Sequence, residues 1–260
     1  MSDFRWVRIE AEESGVRLLT LDRPPVNALG RELVADLLAA LDELSRDDDA
    51  RCLIVRSAGK HFCAGADLKE RRDMTTHEVR EFVPQLAAVC SAAAAVAYPT
   101  IAAVRGVAAG GGCELALGCD FRLLAEDVSI GLRETALAII PGGGGTQRLP
   151  RLIGPSRAKR WIFAAELHDA EQALRDGVAD RVVPADALDA EARALAATIA
   201  ANGPVAVRQA KLAIDRGAHL SLAEALAFEW DCYQPTLATE DRLEALRAFG
   251  EKRKPEFRGR

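Results

Sequence analysis

No Cys-x-x-Cys pair occurs among the six cysteines of this 260-residue chain, at positions 52, 63, 90, 113, 119 and 232. Nor do its four histidines gather with them at ligand spacing, so a zinc ribbon or similar metal centre is not expected. The thiols read as reduced and mostly buried. The opening MSDFRW lacks the apolar run of a secretory leader, which makes the cytoplasm the expected location. Val83–Val104 carries no charge and is long enough to cross a bilayer, but it is alanine-rich and interrupted by Pro84 and Pro99. It reads as core. No solenoid repeat is evident. Basic charge is not in excess either: the net charge is −5, which argues against nucleic acid as the principal partner. Hydrophobic content of 49% and charged content of 28% fit a globular chain that can bury a sizeable core.

The informative stretch is Pro99–Asp120, PTIAAVRGVAAGGGCELALGCD. Thr100–Val104 reads as a buried strand, broken by Gly106 and then by Gly110, Gly111 and Gly112. Glu114 follows and opens an apolar helical segment. No Gly-Lys-Ser/Thr closes the glycines, so this is not a phosphate loop. Leu115 stands where a third glycine would sit, so it is not a dinucleotide fingerprint. Strand, glycine turn and helix start together bare N–H groups that suit a developing negative charge. Glu114 is the only charge between Arg105 and Asp120. The plainer alternative is a turn followed by ordinary dipole complementation.

Elsewhere, Val7–Glu10 and Val16–Leu21 flank Ser14-Gly15 as a hairpin, and Arg31–Leu44 has one apolar helical face. Cys52–Val55 is a strand. His61–Glu70, HFCAGADLKE, repeats the theme of a small-residue turn leading into a helix. Glu78–Val96 is helical, Phe121–Ala125 is a strand, and Glu134 sits among apolar residues before the four glycines 142–145. Helices follow at Thr146–Ile153, Arg157–Ala165, Ala170–Asp176 and Ala187–Ala201, with a strand at Arg181–Val183. Beyond Asn202-Gly203-Pro204 only helices are expected, at Val205–Arg216, Leu222–Tyr233 and Asp241–Lys252. The class is an α/β core with a helical tail.

Together the blocks CAGADLKE, AAGGGCELALGCD, ETALAIIPGGGGTQRLPRLIG and EKRKPEF resemble the crotonase (enoyl-CoA hydratase/isomerase) family across essentially the whole chain. FCAGADLKER, LAIIPGGGGTQRLPR, GPVAVRQAKLAI and DRLEAL are closer still to its methylglutaconyl-CoA hydratase branch. The resemblance implies a spiral of ββα units with a C-terminal helical region, divided here as a core (1–200) holding the acyl-CoA site and a helical trimerisation region (201–260). It also implies a homotrimer or homohexamer acting on acyl-CoA thioesters, with coenzyme A entering as part of the substrate, no separate cofactor and no membrane.

Carried over residue by residue, the resemblance implies an oxyanion hole from the backbone N–H groups of Ala66 and Gly111. It implies catalytic carboxylates at Glu114 and Glu134. Lys69 and Lys252 would meet the coenzyme A phosphates, with Ala64 and Leu68 along the adenine pocket. Glutamates suit water addition if burial raises their pKa, and the apolar flanks of both allow that. His61, His77, His168 and His219 are given no catalytic part, and Cys113 reads as apolar filler. The alternatives are a Δ3,Δ2-enoyl-CoA isomerase, which needs only one carboxylate, and an RNA-binding protein on the same scaffold. Against the latter, Gly30–Ala50, lysine-rich in the RNA-binding member, here has seven acids against two arginines. For a methylglutaconyl substrate, whose acyl chain ends in a carboxylate, Arg133 is the candidate cation, with a surface role or a salt bridge to an acid as its plainer reading.

Overall fold

The computed structural model describes residues 4–260. A hairpin comes first, β1 (Val7–Ala11) against β2 (Val16–Leu21), closed by Gly15 at φ +82, where a glycine meets no Cβ penalty. The other strands are β3 (Cys52–Ser57), β4 (Thr100–Val104), β5 (Val107–Ala109), β6 (Phe121–Ala125), β7 (Ser129–Gly131), β8 (His168–Asp169) and β9 (Arg181–Val183). Six of them form one sheet in the order β1-β2-β3-β4-β6-β9, parallel from β2 onward; β5-β7-β8 form a smaller one.

Each turn of chain contributes one strand to the large sheet, one extended segment to the small layer, and then a helix. From β2 the chain passes Leu29 and enters α1 (Arg31–Ser45); from β3 it passes Cys63 and Ala66 into α2 (Leu68–Asp73) and α3 (Thr76–Ala95). From β4 it passes β5 into α4 (Gly111–Gly118). From β6 it passes β7 and a 3-10 turn, Glu134–Leu137, into α5 (Gly145–Ile153) and α6 (Pro155–Ala164). Single bridges, Leu29 to Ala66 and Cys63 to Ala108, link successive turns within the small layer. This repetition is the crotonase-type spiral of ββα units. After it come α7 (Ala170–Asp176), α8 (Leu188–Ala200), α9 (Pro204–Gly217), α10 (Leu222–Leu237) and α11 (Glu240–Glu251).

The large sheet is covered on both faces, so its inner strands β2, β3 and β4 are buried almost throughout rather than alternating, whereas the edge strand β1 exposes Arg8 and Glu10. On one face Leu19, Leu21, Leu53, Val55 and Val104 pack against α1, α3 and α4. On the other, Leu18, Ile54, Ile101 and Leu123 meet Leu188, Ala192, Ala196 and Ala200 of α8, small residues four apart that present one face to the sheet. The described residues hold no helix long and apolar enough to cross a membrane; the uncharged run is shared between α3 and β4. In α9, Arg208 donates to the carbonyls of Asp48 and Ala50, and Lys211 pairs with Asp120 and Asp215. The last helices leave large apolar side chains outside, with Trp230 58% and Phe249 86% exposed.

Two expectations change. Strands β5, β7 and β8 were not foreseen, being two or three residues long and defined by tertiary pairing rather than by a periodic pattern. Gly111 and Gly112 belong to helix α4 rather than to the turn before it. The physical reason is space: a Cβ on Gly112 would lie 2.0 Å from the carbonyl oxygen of Cys63.

Candidate active site

The site gathers where the second, third and fourth turns of the spiral meet. Gly110 ends β5 at φ +52, and its N–H donates to Gly131 O at 2.9 Å. Gly111 then begins α4, so its own N–H has no acceptor within the helix. Across from it runs the segment Ala64–Asp67. There Leu29 N–H donates to Gly65 O and Asp67 N–H donates to Leu29 O. That parallel pairing turns the intervening Ala66 N–H away from Leu29. A Cβ on Gly65 would sit 2.6 Å from Ala109 O and 3.4 Å from Gly111 N, which brings the two turns together. Gly65, at φ +90, is the residue type this approach requires.

Polar clamps hold the segment. The Asn27 side-chain amide donates to the carbonyls of His61 and Phe62, each at 3.0 Å, and His61 Nδ1 accepts Val107 N–H. Arg23 donates to Ala28 O and to the carboxylates of Asp67 and Glu70. Asp67 caps α2, accepting from Lys69 N and Glu70 N, and its carboxyl is held below the usual range by Arg23 and these N–H groups, against an opposing burial effect. Neither Asn27 nor Arg23 was singled out from the sequence. Apart from Ala28, the partners to which these side chains donate lie more than 30 positions away, beyond any local pattern.

Glu114, in the first turn of α4, is 3% exposed, and its Oε1 accepts the N–H groups of Gly143 and Gly145 at 2.7 Å each. Burial pushes its pKa up, opposed by those two donors and by Arg148. Arg148 also donates to Gly143 O at 2.7 Å and so braces the glycine turn. Glu134 opens the 3-10 turn, 9% exposed, with a buried Oε2 that has no hydrogen-bond partner. Burial first, and the neighbouring Glu114 second, push its pKa up to about 7. Two carboxylates of unlike environment thus share one wall, the pattern that separates an acid from a base.

Both line a cavity of about 330 Å³ together with Ala64, Ala66, Gly111 and Leu68. A second cavity, of about 550 Å³, shares Ala64, Ala66 and Leu68 with the first and adds Trp6, Arg23, Pro25 and Lys69. The two form adjoining compartments, one with the glutamates and one with a lysine. Arg133 lines the first and is exposed, in keeping with its plainer reading as a surface residue; among the described residues it makes no ion pair. Arg71 lines it too and was overlooked; its place three residues after Leu68, hence on the same helical face, was the available signal. Lys252 caps the C-terminus of α11 at φ +54, exposed, and lies in neither compartment of its own chain.

A family model described as "Enoyl-CoA hydratase/isomerase" matches residues 11–260. The chain is 47% identical to the "Enoyl-CoA isomerase/hydratase fer4" of Mycosarcoma maydis, covering 96% of this chain and 95% of that one. It is 46% identical to the mitochondrial methylglutaconyl-CoA hydratase of Homo sapiens, over 99% of this chain and 78% of that one. The crystal structure of an enoyl-CoA hydratase from Bacillus anthracis superposes with a TM-score of 0.96 at 42% identity, covering 98% of this chain and all of that one.

Proposed function

The chain belongs to the enoyl-CoA hydratase/isomerase family and is a hydro-lyase enzyme; on that premise we propose that it adds water across the C2–C3 double bond of a short enoyl-CoA thioester. The observation that carries this reading is the pair of buried carboxylates, Glu114 and Glu134, on the wall of one cavity. The thioester oxygen accepts the Ala66 and Gly111 N–H groups, which meet the negative charge as it grows; losing one such donor costs roughly 2.7–4 kcal/mol in comparable sites. Glu114, already accepting two N–H donors, is favoured as the anion and takes a proton from water. The hydroxyl bonds to C3, the double-bond electrons move to the thioester oxygen, and Glu134 in its protonated form returns a proton to C2. Atoms balance: one water enters and the two glutamates exchange their protonation states. Double-bond isomerisation needs only one of these carboxylates, so the pair favours hydration. Lys69 meets the coenzyme A phosphates from the second compartment, and Lys252 does so from the C-terminal tail of a neighbouring chain.

The acyl group in this reading is 3-methylglutaconyl, supported by the 46% identity to the human methylglutaconyl-CoA hydratase and by two arginines on the cavity wall, Arg71 and Arg133, without a side-chain partner among the described residues. A buried carboxylate without a cation or N–H donors would be costly. The test is kcat/KM for 3-methylglutaconyl-CoA against crotonyl-CoA. A ratio above ~10 is expected, equivalent to about 1.4 kcal/mol of differential transition-state binding. A ratio below one places the enzyme among general short-chain hydratases.

A further inference from the structure

Arg71 lies in the last turn of α2, half-buried, and lines the compartment that holds Glu114 and Glu134. The compartment it borders is lined largely by apolar residues, Leu86, Leu137, Ile139, Ile140 and Leu167 among them, beside the two glutamates and Arg133. Its guanidinium makes no hydrogen bond or ion pair among the described residues. The other described arginines without a side-chain partner, Arg80, Arg133, Arg160, Arg242 and Arg258, are all exposed. A half-buried guanidinium with five N–H donors at the edge of a largely apolar compartment is placed to meet an acceptor that enters it. The acids around it are already engaged, since Asp67 and Glu70 go to Arg23 and Asp73 goes to Arg72. Glu114 is satisfied by Gly143 and Gly145. Glu134 borders the same compartment with an unpartnered Oε2, yet makes no bond to Arg71, so among the described residues the Arg71 guanidinium has no acceptor.

We propose that Arg71 is a specificity residue, gripping the terminal carboxylate of a dicarboxylic enoyl-CoA through a two-pronged guanidinium–carboxylate contact. This rests on the hydratase reading above and names the residue that selects the acyl group. Position argues against coenzyme A as its partner. Arg71 borders only the compartment of the two glutamates, whereas Lys69 borders only the adjoining one. Arg133, exposed at the same wall, is screened by solvent; Arg71 sits where the surroundings are apolar and a charge-assisted pair is strong. A planar fork matches a carboxylate in a way that an ammonium does not.

The test compares Arg71→Met and Arg71→Lys with the wild type, using two ratios. The first is kcat/KM for 3-methylglutaconyl-CoA over crotonyl-CoA. The second is the affinity for glutaryl-CoA over that for butyryl-CoA, neither of which can be hydrated. Both ratios are expected to fall by about 30-fold in Arg71→Met, with partial retention in Arg71→Lys. Unchanged ratios overturn the proposal. So does an equal loss for both members of each pair, which assigns Arg71 to coenzyme A instead. A wild type that hydrates no enoyl-CoA removes the hydratase reading alone, because the binding ratio of the saturated thioesters still decides the role of Arg71.

Discussion

Glu134 is out of place by ordinary folding rules: its Oε2 is buried without a hydrogen-bond partner, and a second carboxylate stands near it. Such an arrangement destabilises the anion and persists where the chemistry uses it. Folding raises its pKa from the ordinary glutamate value of 4.5 to about 7, so the native state holds this proton more tightly than the unfolded chain does. The associated stability is fully present below 4.5 and is lost as pH rises through about 7. A Glu134→Gln protein has no proton to lose there. Its melting temperature should therefore gain on that of the wild type between pH 5 and pH 8, as followed by thermal unfolding across that range. A melting temperature of Glu134→Gln minus that of the wild type that stays constant or falls with rising pH would mean that Glu134 ionises normally in the folded protein.

Among the elements, α4 carries the most consequence for its length. All eight of its residues are buried, and its first turn supplies both Gly111 and Glu114. Its helix start approaches the preceding turn of the spiral so closely that Gly112 has no room for a side chain. Gly112→Ala should lower stability by about 1–3 kcal/mol or more, since the clash is with backbone, and should impair hydration by displacing the Cys63–Ala66 segment. Gly59→Ala, where nothing lies within 4 Å, is the control and should be near neutral in denaturant unfolding; equal effects at the two positions would contradict the close packing. The same contrast explains what could be read in advance. Thr100–Val104 was legible to the residue because four apolar residues after Pro99-Thr100, closed by Arg105-Gly106, leave few alternatives. Glu114 was legible as a lone charge in an apolar run. The clamps of Asn27 and Arg23 were not, because they join segments far apart in sequence. Nor was the spiral itself, whose small sheet is stitched by strands too short to show a period; only the family resemblance supplied it.

At the scale of the whole molecule, α10 and α11 present Leu222, Leu226, Trp230, Leu243, Leu246 and Phe249 to the outside, each more than half exposed, a concentration of large apolar side chains of the kind that marks an interaction surface. A symmetric assembly of three or six chains, the state the family resemblance implies, would cover these side chains and would let the Lys252 tail reach a neighbouring site. Light scattering coupled to size exclusion should return three or six times the single-chain mass. Trp230→Asp with Phe249→Asp should shift the protein toward smaller species. A wild-type monomer at micromolar concentration would remove this part of the picture while leaving the catalytic wall of one chain in place.

The most direct test of the central claim, that two carboxylates work as a pair in hydration, is kcat for crotonyl-CoA in Glu114→Gln and Glu134→Gln, each checked for an intact fold. Glutamine keeps the shape but cannot exchange a proton, so each change is expected to lower kcat by at least ~10²-fold. A Glu134→Gln enzyme that hydrates crotonyl-CoA at near the wild-type rate would contradict the two-carboxylate mechanism and favour a one-carboxylate isomerase.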